Sequence, residues 1–151
     1  MIARLRARGW TVGGFLQEPL GDPGEPEGYV LVDLRSGERV PLARSSSTPE
    51  VCNWSFEPQA FARAAEWCAA PELDFVFLQL GPLEAGGEGH WPTVTRTLAE
   101  AHAVAVLGMR PNVLARLALR LPDPIAGLEL PVDDPGLERF VDRIAPARDA
   151  R

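Results

Sequence analysis

The spacing of apolar and polar residues changes along the chain, and each spacing predicts a type of element. Apolar residues at helical spacing predict helices over residues 2–8, 58–68, 92–101, 112–120 and 134–144. Runs of β-branched, aromatic and other apolar residues predict strands over residues 10–16, 29–34, 39–43, 74–80, 104–108 and 125–130. The turn residues Ser36 and Gly37 join two of these strands into a β-hairpin over 29–43. Proline, glycine and acidic residues predict a loop over 19–28.

Strands and helices alternate from residue 58 onward, which is typical of an α/β protein with a parallel sheet. The runs 74–80, 104–108 and 125–130 are almost wholly apolar, as strands buried on both faces are. We therefore expect them to be neighbouring strands. A length of 151 residues suits one domain, predicted over 1–145, with a frayed tail over 146–151.

Composition excludes several kinds of chemistry. All 15 basic residues are arginine, so this sequence supplies no Schiff-base lysine and no phosphate-binding lysine. A net charge of -6 argues against a nucleic-acid surface, and no apolar run is long enough to cross a membrane. Cys52 and Cys68 form neither a disulfide framework nor a paired metal motif, so we expect reduced thiols in a cytoplasmic protein.

One loop carries the most information. The run Leu78-Gln79-Leu80-Gly81-Pro82-Leu83-Glu84 is followed by Gly86-Gly87-Glu88-Gly89-His90-Trp91. It follows a predicted buried strand, and α/β sheets bind their ligands at the carboxyl ends of their strands. The candidate ligand-binding residues at this edge are Gln79, Gly81, Glu84, His90 and Arg110.

This loop resembles the Walker B segment of the THEP-type nucleoside-triphosphatase family of P-loop proteins. In that family an apolar strand ends in Asp-Glu, then any residue, then Gly-Pro-(Met or Leu)-Glu. Weaker similarities in the same order and spacing extend the resemblance over about residues 3–130. It implies a P-loop-NTPase-like α/β fold, with a mainly parallel sheet flanked by helices and an added β-hairpin.

The departures from the family pattern bear directly on activity. The family begins with a strand and a Gly-Lys-Thr/Ser phosphate loop, whereas this sequence begins within the helix that follows that loop. Leu78 stands at the position of the magnesium-binding Asp, and Gln79 at that of the water-orienting Glu. The family would use Mg²⁺ and NTP; here we expect no cofactor, no catalytic residue and no metal ligand.

Three functional interpretations remain open. The first is an inactive NTPase-like protein that acts as a binding or interaction module, with a nucleotide or another anion as a ligand. The second is an N-terminally truncated nucleoside triphosphatase. The third is a metal- or cofactor-handling accessory protein that uses Cys52, Cys68 or His90.

A partner is also expected. In the resembled family the missing first strand lies inside the sheet, beside the strand that corresponds to 74–80. Because a gap there would leave backbone groups unpaired, we expect self-association or a complex with another protein chain.

For several side chains a structural role competes with a functional one. Glu84 could brace its own loop rather than pair with Glu88 as a second carboxylate. Arg116 and Arg120 lie one helical turn apart, so they could bind an anion or simply form a solvated helix face.

Overall fold

The computed structural model describes residues 1–46, 54–100 and 102–149. In these ranges, six strands form a single sheet. The strands are β1 Val12–Asp22, β2 Glu25–Asp33, β3 Arg39–Ser45, β4 Trp54–Phe56, β5 Phe75–Gln79 and β6 Val104–Gly108. The helices are α1 Ile2–Ala7, α2 Pro58–Cys68, α3 Pro82–Gly86, α4 Trp91–Glu100, α5 Pro111–Leu117 and α6 Asp134–Asp149.

The sheet is mixed, with strand order β4-β3-β2-β1-β5-β6. β5 pairs in parallel with β1 on one side and with β6 on the other. The pairs β1–β2, β2–β3 and β3–β4 are antiparallel. The prediction of a mainly parallel sheet is therefore wrong, whereas the α/β architecture and the hairpin over 29–43 are confirmed.

The antiparallel half is larger than predicted because the acidic segment 19–28 is not a loop. Its two arms are the paired ends of β1 and β2, which are joined by a turn at Pro23-Gly24. The Asp22 carboxylate accepts a hydrogen bond of 2.8 Å from the Gly24 N–H and so stabilises this turn.

The predicted strand over 125–130 is also wrong. This segment is irregular, and the side chains of Ile125 and Leu130 are 55% and 80% exposed. Pro124 and Pro131 flank the run and cannot donate to a strand ladder, which helps to explain why apolar composition alone does not produce a strand here.

β5 is buried on both faces and divides the core into two layers. Val76 and Leu78 pack towards α2, α4 and α5, on what we call the α2 face. Phe75 and Phe77 pack towards α1 and α6, on the α1 face. The near-continuous apolar run predicted a strand of this kind, and that prediction is confirmed.

The N-terminal helix α1 packs against β5 and α6 through Leu5. Leu5 is fully buried there, together with Val141 and Ile144 of α6. Arg4 and Arg8, on the polar side of α1, form ion pairs with acidic residues of α6. The alternation of arginine and apolar residues at the start of the chain therefore reflects a helix held between the sheet and α6.

The C-terminal helix continues to Asp149, through the first part of the tail that was predicted to be frayed. Residues 150–151 lie outside the described residues. Among the described residues, no helix combines the length and apolar character that crossing a bilayer requires.

No gap exists beside β5, because β1 pairs with it from Val12 to Gly14. The expected row of unpaired groups next to 74–80 is thus wrong. The two strands approach closely at Gly14, which has a φ of +90° and lies opposite Phe77. A Cβ at Gly14 would lie only 2.0 Å from the Phe77 carbonyl oxygen.

We predict that Gly14→Ala lowers the free energy of unfolding by about 3 kcal/mol or more. The new methyl group would clash with the Phe77 carbonyl oxygen, and a backbone atom cannot shift aside as the tip of a side chain can. The matched control is Gly37→Ala. Gly37 has a φ of +75°, but a Cβ added there would have no atom within 4 Å. That change should cost only about 1–2 kcal/mol for the positive φ. Urea unfolding measures both, and equal losses would contradict the close approach.

Candidate functional site

Three of the candidate residues lie at or just beyond the carboxyl ends of β5 and β6. Gln79 ends β5 and lies in register with Gly108, the last residue of β6. Gly81 follows on the β5 side, and the exposed Arg110 precedes α5 on the β6 side. The Leu80 N–H donates to the Gly108 carbonyl at 2.8 Å and holds the two strand ends together.

Glu84 lies in the loop that follows this edge, and its hydrogen bonds hold that loop together. Its side chain is 2% exposed and lies in the short helix α3, within a stretch that was predicted to be loop. One carboxylate oxygen accepts a hydrogen bond of 2.6 Å from the Gly81 N–H. The other accepts one of 2.7 Å from the His90 N–H. The structural role considered for Glu84, bracing its own loop, is therefore observed.

The electrostatics of Glu84 follow from this position. Burial raises the pKa of the Glu84 carboxyl, while the N–H groups of His90 and Gly81 act in the opposite direction. Gly89 passes so close that a Cβ there would lie 2.4 Å from a Glu84 oxygen. The glycines of the loop thus let the backbone close around a buried carboxylate.

His90 faces the core rather than solvent. Its ring is 1% exposed and lies between the rings of Phe15 and Phe61, with centroids 4.3 Å and 4.8 Å away. Neither ring nitrogen has a hydrogen-bond partner among the described residues. Burial lowers the pKa of His90 to about 3, so the ring is neutral at physiological pH.

The residues at the expected magnesium position do not fit that ion. Leu78 is 1% exposed and packs in the core on the α2 face, and its side chain has no oxygen to offer. The Gln79 side-chain oxygen accepts a hydrogen bond of 2.8 Å from the Gln17 N–H. The Gln17 side chain donates in return to the Gln79 carbonyl at 3.0 Å. Gln79 thus joins β5 to β1.

Two further contacts at this edge escaped sequence reasoning. Gln17 has no motif around it, and its pairing with Gln79 depends on the strand order. The Arg120 guanidinium lies 4.0 Å above the Trp91 ring, a cation–π contact. Helical spacing placed Arg120 beside Arg116 on a helix face, whereas α5 ends at Leu117 and Arg120 packs against the glycine-rich loop.

The thiol chemistry considered in the sequence is limited by burial. Cys68 is buried in α2, and burial raises the pKa of its thiol to about 12. Cys52 lies outside the described residues. Within the described ranges, no group of three or more His, Cys, Asp or Glu side chains could hold a metal ion.

Comparison with known proteins identifies the family. Residues 1–116 match the family described as "Protein of unknown function (DUF2478)". The chain belongs to the DUF2478 family. This DUF2478 protein is also 33% identical over 106 residues to "Nucleoside-triphosphatase THEP1" of Methanopyrus kandleri. No solved structure matches it.

That similarity covers 68% of this chain and 58% of the relative. The chain therefore spans less than two thirds of the curated relative's length. A distant relationship to an NTPase-like family is supported, in line with the resemblance of the Gly81-Pro82-Leu83-Glu84 segment.

We predict that Glu84→Ala destabilises this DUF2478 protein by about 2–6 kcal/mol, because a buried and a partly buried N–H donor lose their acceptor at about 1–3 kcal/mol each. Glu88→Ala is the matched control, since Glu88 lies in the same loop with an exposed side chain. It should change the unfolding free energy by less than about 0.5 kcal/mol. Thermal and urea unfolding of both variants test this, and similar losses would refute the bracing role.

His90 predicts a dependence of stability on pH. Its folded pKa of about 3 lies below the ordinary 6.5, so the unfolded chain binds the proton first. The stability that depends on the neutral ring is complete above about pH 6.5 and is lost as the pH falls towards 3, at up to about 1.4 kcal/mol per pH unit.

The variant His90→Phe should remove this part of the pH dependence while keeping an aromatic ring between Phe15 and Phe61. Urea unfolding at pH 7.5, 5.5 and 4.5 gives the comparison. His102→Gln is the control, because His102 is 24% exposed beside Glu100. Parallel pH profiles for His90→Phe and the unmodified protein would show that His90 is not buried as described.

Proposed function

We propose that this DUF2478 protein is an NTPase-like module that acts by binding and does not hydrolyse NTPs. The observation that supports this proposal most directly concerns Leu78. By the resemblance to Walker B, Leu78 stands at the position of the metal-binding carboxylate, and it is a core residue of β5. Replacing a carboxylate by a buried leucine removes the oxygen ligands that Mg²⁺ requires. Without that ion, the charge that develops on the phosphates during transfer has no counterion at this edge.

The state of Gln79 supports the same proposal. A general base must take a proton from the attacking water, and an amide cannot do so. The side-chain oxygen of Gln79 is engaged by the Gln17 N–H, so it contributes to strand pairing. Glu84 is committed to two backbone donors and is buried, which leaves no exposed carboxylate in the segment 78–84.

Arg110 supplies an anion-binding group at the same edge. Its guanidinium is exposed beside the ends of β5 and β6, where α/β sheets bind ligands. A guanidinium matches the geometry of a phosphate or carboxylate. The proposed ligand is therefore a nucleotide, another anion or an acidic group of a partner chain. We also propose that the protein is cytoplasmic.

A second candidate is a working nucleoside triphosphatase of which this sequence is a part. The observation that favours it is the relative's greater length, since the chain covers 58% of that protein. In such a protein the phosphate loop would come from the remaining sequence. Leu78 and Gln79 have no explanation in that case, which is why we prefer the non-hydrolysing module.

Phosphate release with ATP and GTP in the presence of Mg²⁺ tests the proposal, and we expect none above background. Turnover of about 1 s⁻¹ or more that is lost in Gln79→Ala would overturn it. Calorimetry with ATP, GTP and inorganic phosphate tests binding. We expect Arg110→Ala to weaken anion binding about tenfold, the usual effect of one charge-assisted bond.

Arg116→Ala is the matched control for the binding experiment, because Arg116 is an exposed arginine of the neighbouring helix. It should leave the affinity unchanged. If neither variant alters the binding of any of the three anions, Arg110 is not part of a ligand site.

A further inference from the structure

A cavity of about 320 Å³ opens between α6 and the irregular segment 125–133 that leads into this helix. We call it the α6 cavity. It lies outside residues 1–116, the part of the chain that matches the DUF2478 family. Ligand pockets in proteins begin at about 300 Å³, so a small molecule would fill it. Its lining combines apolar side chains, those of Leu128, Val132 and Phe140, with charged ones, those of Asp133, Arg139 and Arg143.

The charged residues of α6 are sorted by side of the helix. Asp134, Glu138 and Asp142 recur every four residues and form ion pairs with the arginines of α1. Arg139 and Arg143 are also four residues apart, and the helical period puts them about a third of a turn round from the acidic residues. The two arginines thus line the α6 cavity on a side of the helix that α1 does not neutralise.

Neither arginine has an acidic partner in the described part of the chain. Arg139 forms no ion pair or hydrogen bond there, and Arg143 donates only a long bond of 3.4 Å to the Ile125 carbonyl. The Asp133 carboxylate, the one acidic group in the lining, already accepts a hydrogen bond of 2.8 Å from the Gly136 N–H. Because a guanidinium has five N–H donors, most of the donors at this cavity are free to bind a ligand.

The apolar part of the cavity is fixed in place by the core. Phe140 and Ala126 both pack against the α1-face cluster, which attaches the helix and the irregular segment to the same core. The segment also touches α6 directly at Gly136. A Cβ there would lie 2.5 Å from a methyl carbon of Val132. A site that is formed before the ligand arrives loses less entropy on binding.

Together the two kinds of lining define a class of ligand. Guanidinium groups one helical turn apart, about 6 Å along the axis, can both donate to one carboxylate or phosphate. The apolar side chains beside them gain by covering an apolar group. An inorganic anion would leave these side chains in water, and a neutral apolar molecule would leave the arginines without a partner.

We propose that the α6 cavity binds a small organic anion. Its carboxylate or phosphate group pairs with Arg139 and Arg143, and its apolar group packs against Leu128, Val132 and Phe140. This inference does not depend on the function proposed for the ends of β5 and β6.

The test is an NMR titration of the protein with phenylacetate, followed at its backbone amides. Gly127 and Gly136 line the cavity, so their amide signals should shift and saturate. Gly37, in the turn between β2 and β3, should not respond. We expect a Kd of about 1 mM or tighter, a reasonable affinity for a ligand of about ten non-hydrogen atoms.

Three further probes separate the parts of the ligand. Phenylacetamide keeps the shape without the charge, and acetate keeps the charge without the ring. Each should bind at least about fivefold more weakly than phenylacetate, because each loses one of the two kinds of contact. Phenyl phosphate then shows which anionic group the arginines prefer, and tighter binding than phenylacetate would assign a phosphate ester to the cavity.

Arg139→Gln and Arg143→Gln should each weaken phenylacetate binding by about fivefold or more, since each removes a charge-assisted donor. Both side chains are exposed, so the fold should persist. Arg116→Gln is the matched control, because Arg116 is an exposed arginine that does not line the cavity. It should leave the affinity unchanged.

Three results would contradict the proposal. Phenylacetate could leave the Gly127 and Gly136 signals unshifted in the unmodified protein. Acetate or phenylacetamide could bind as tightly as phenylacetate, which would show that the cavity does not combine the two contacts. The double variant with Arg139→Gln and Arg143→Gln could also keep the full affinity, and the arginines would then have no part in binding.

Discussion

The burial of β5 on both faces is the constraint on which the rest of this structure depends. Phe75, Val76, Phe77 and Leu78 are all 5% exposed or less. A strand of this kind needs helices above and below it and a strand on either side. α1 and α6 cover one face, α2 and α4 the other, and Gly14 lets β1 approach closely enough to pair. The carboxyl end of β5 then leads into the glycine-rich loop.

That loop is held by a backbone contact within the segment that resembles Walker B. In the segment that resembles Walker B, Gly81 and Glu84 form a hydrogen bond that stabilises the start of α3. This contact serves the fold of the loop in any protein that has it. Leu78 packs in the core, and Gln79 pairs with β1. The part of the segment that matches the resembled motif is thus the part that the backbone needs.

The sequence predicted those elements whose evidence is local. The apolar run of β5, the stripe of α2 and the turn at Ser36-Gly37 each depend on neighbouring residues, and each was found at its expected place. The apolar run 125–130 misled because composition does not reveal whether a segment has a sheet to join. β4 and α3 are only three and five residues long, too short for a periodic pattern to reveal.

The site was less predictable, because its contacts join residues that are distant in the chain. Gln17 and Gln79 are 62 residues apart, and their mutual hydrogen bonds follow from β1 lying next to β5. His90 was a reasonable ligand candidate from its loop position. Only the placement of Phe15 and Phe61 shows that its ring belongs to the core.

The position of α1 has a physical cause. Ion pairs of Arg4 and Arg8 with α6 involve acidic side chains that are 44–87% exposed, and exposed pairs of that kind are screened by water and contribute little to stability. The full burial of Leu5 is worth about 1.5–3 kcal/mol. Hydrophobic burial therefore assigns α1 to its face of the sheet, and the arginines orient it against α6. A helix held in this way by its apolar side cannot move to the α2 face without exposing Leu5.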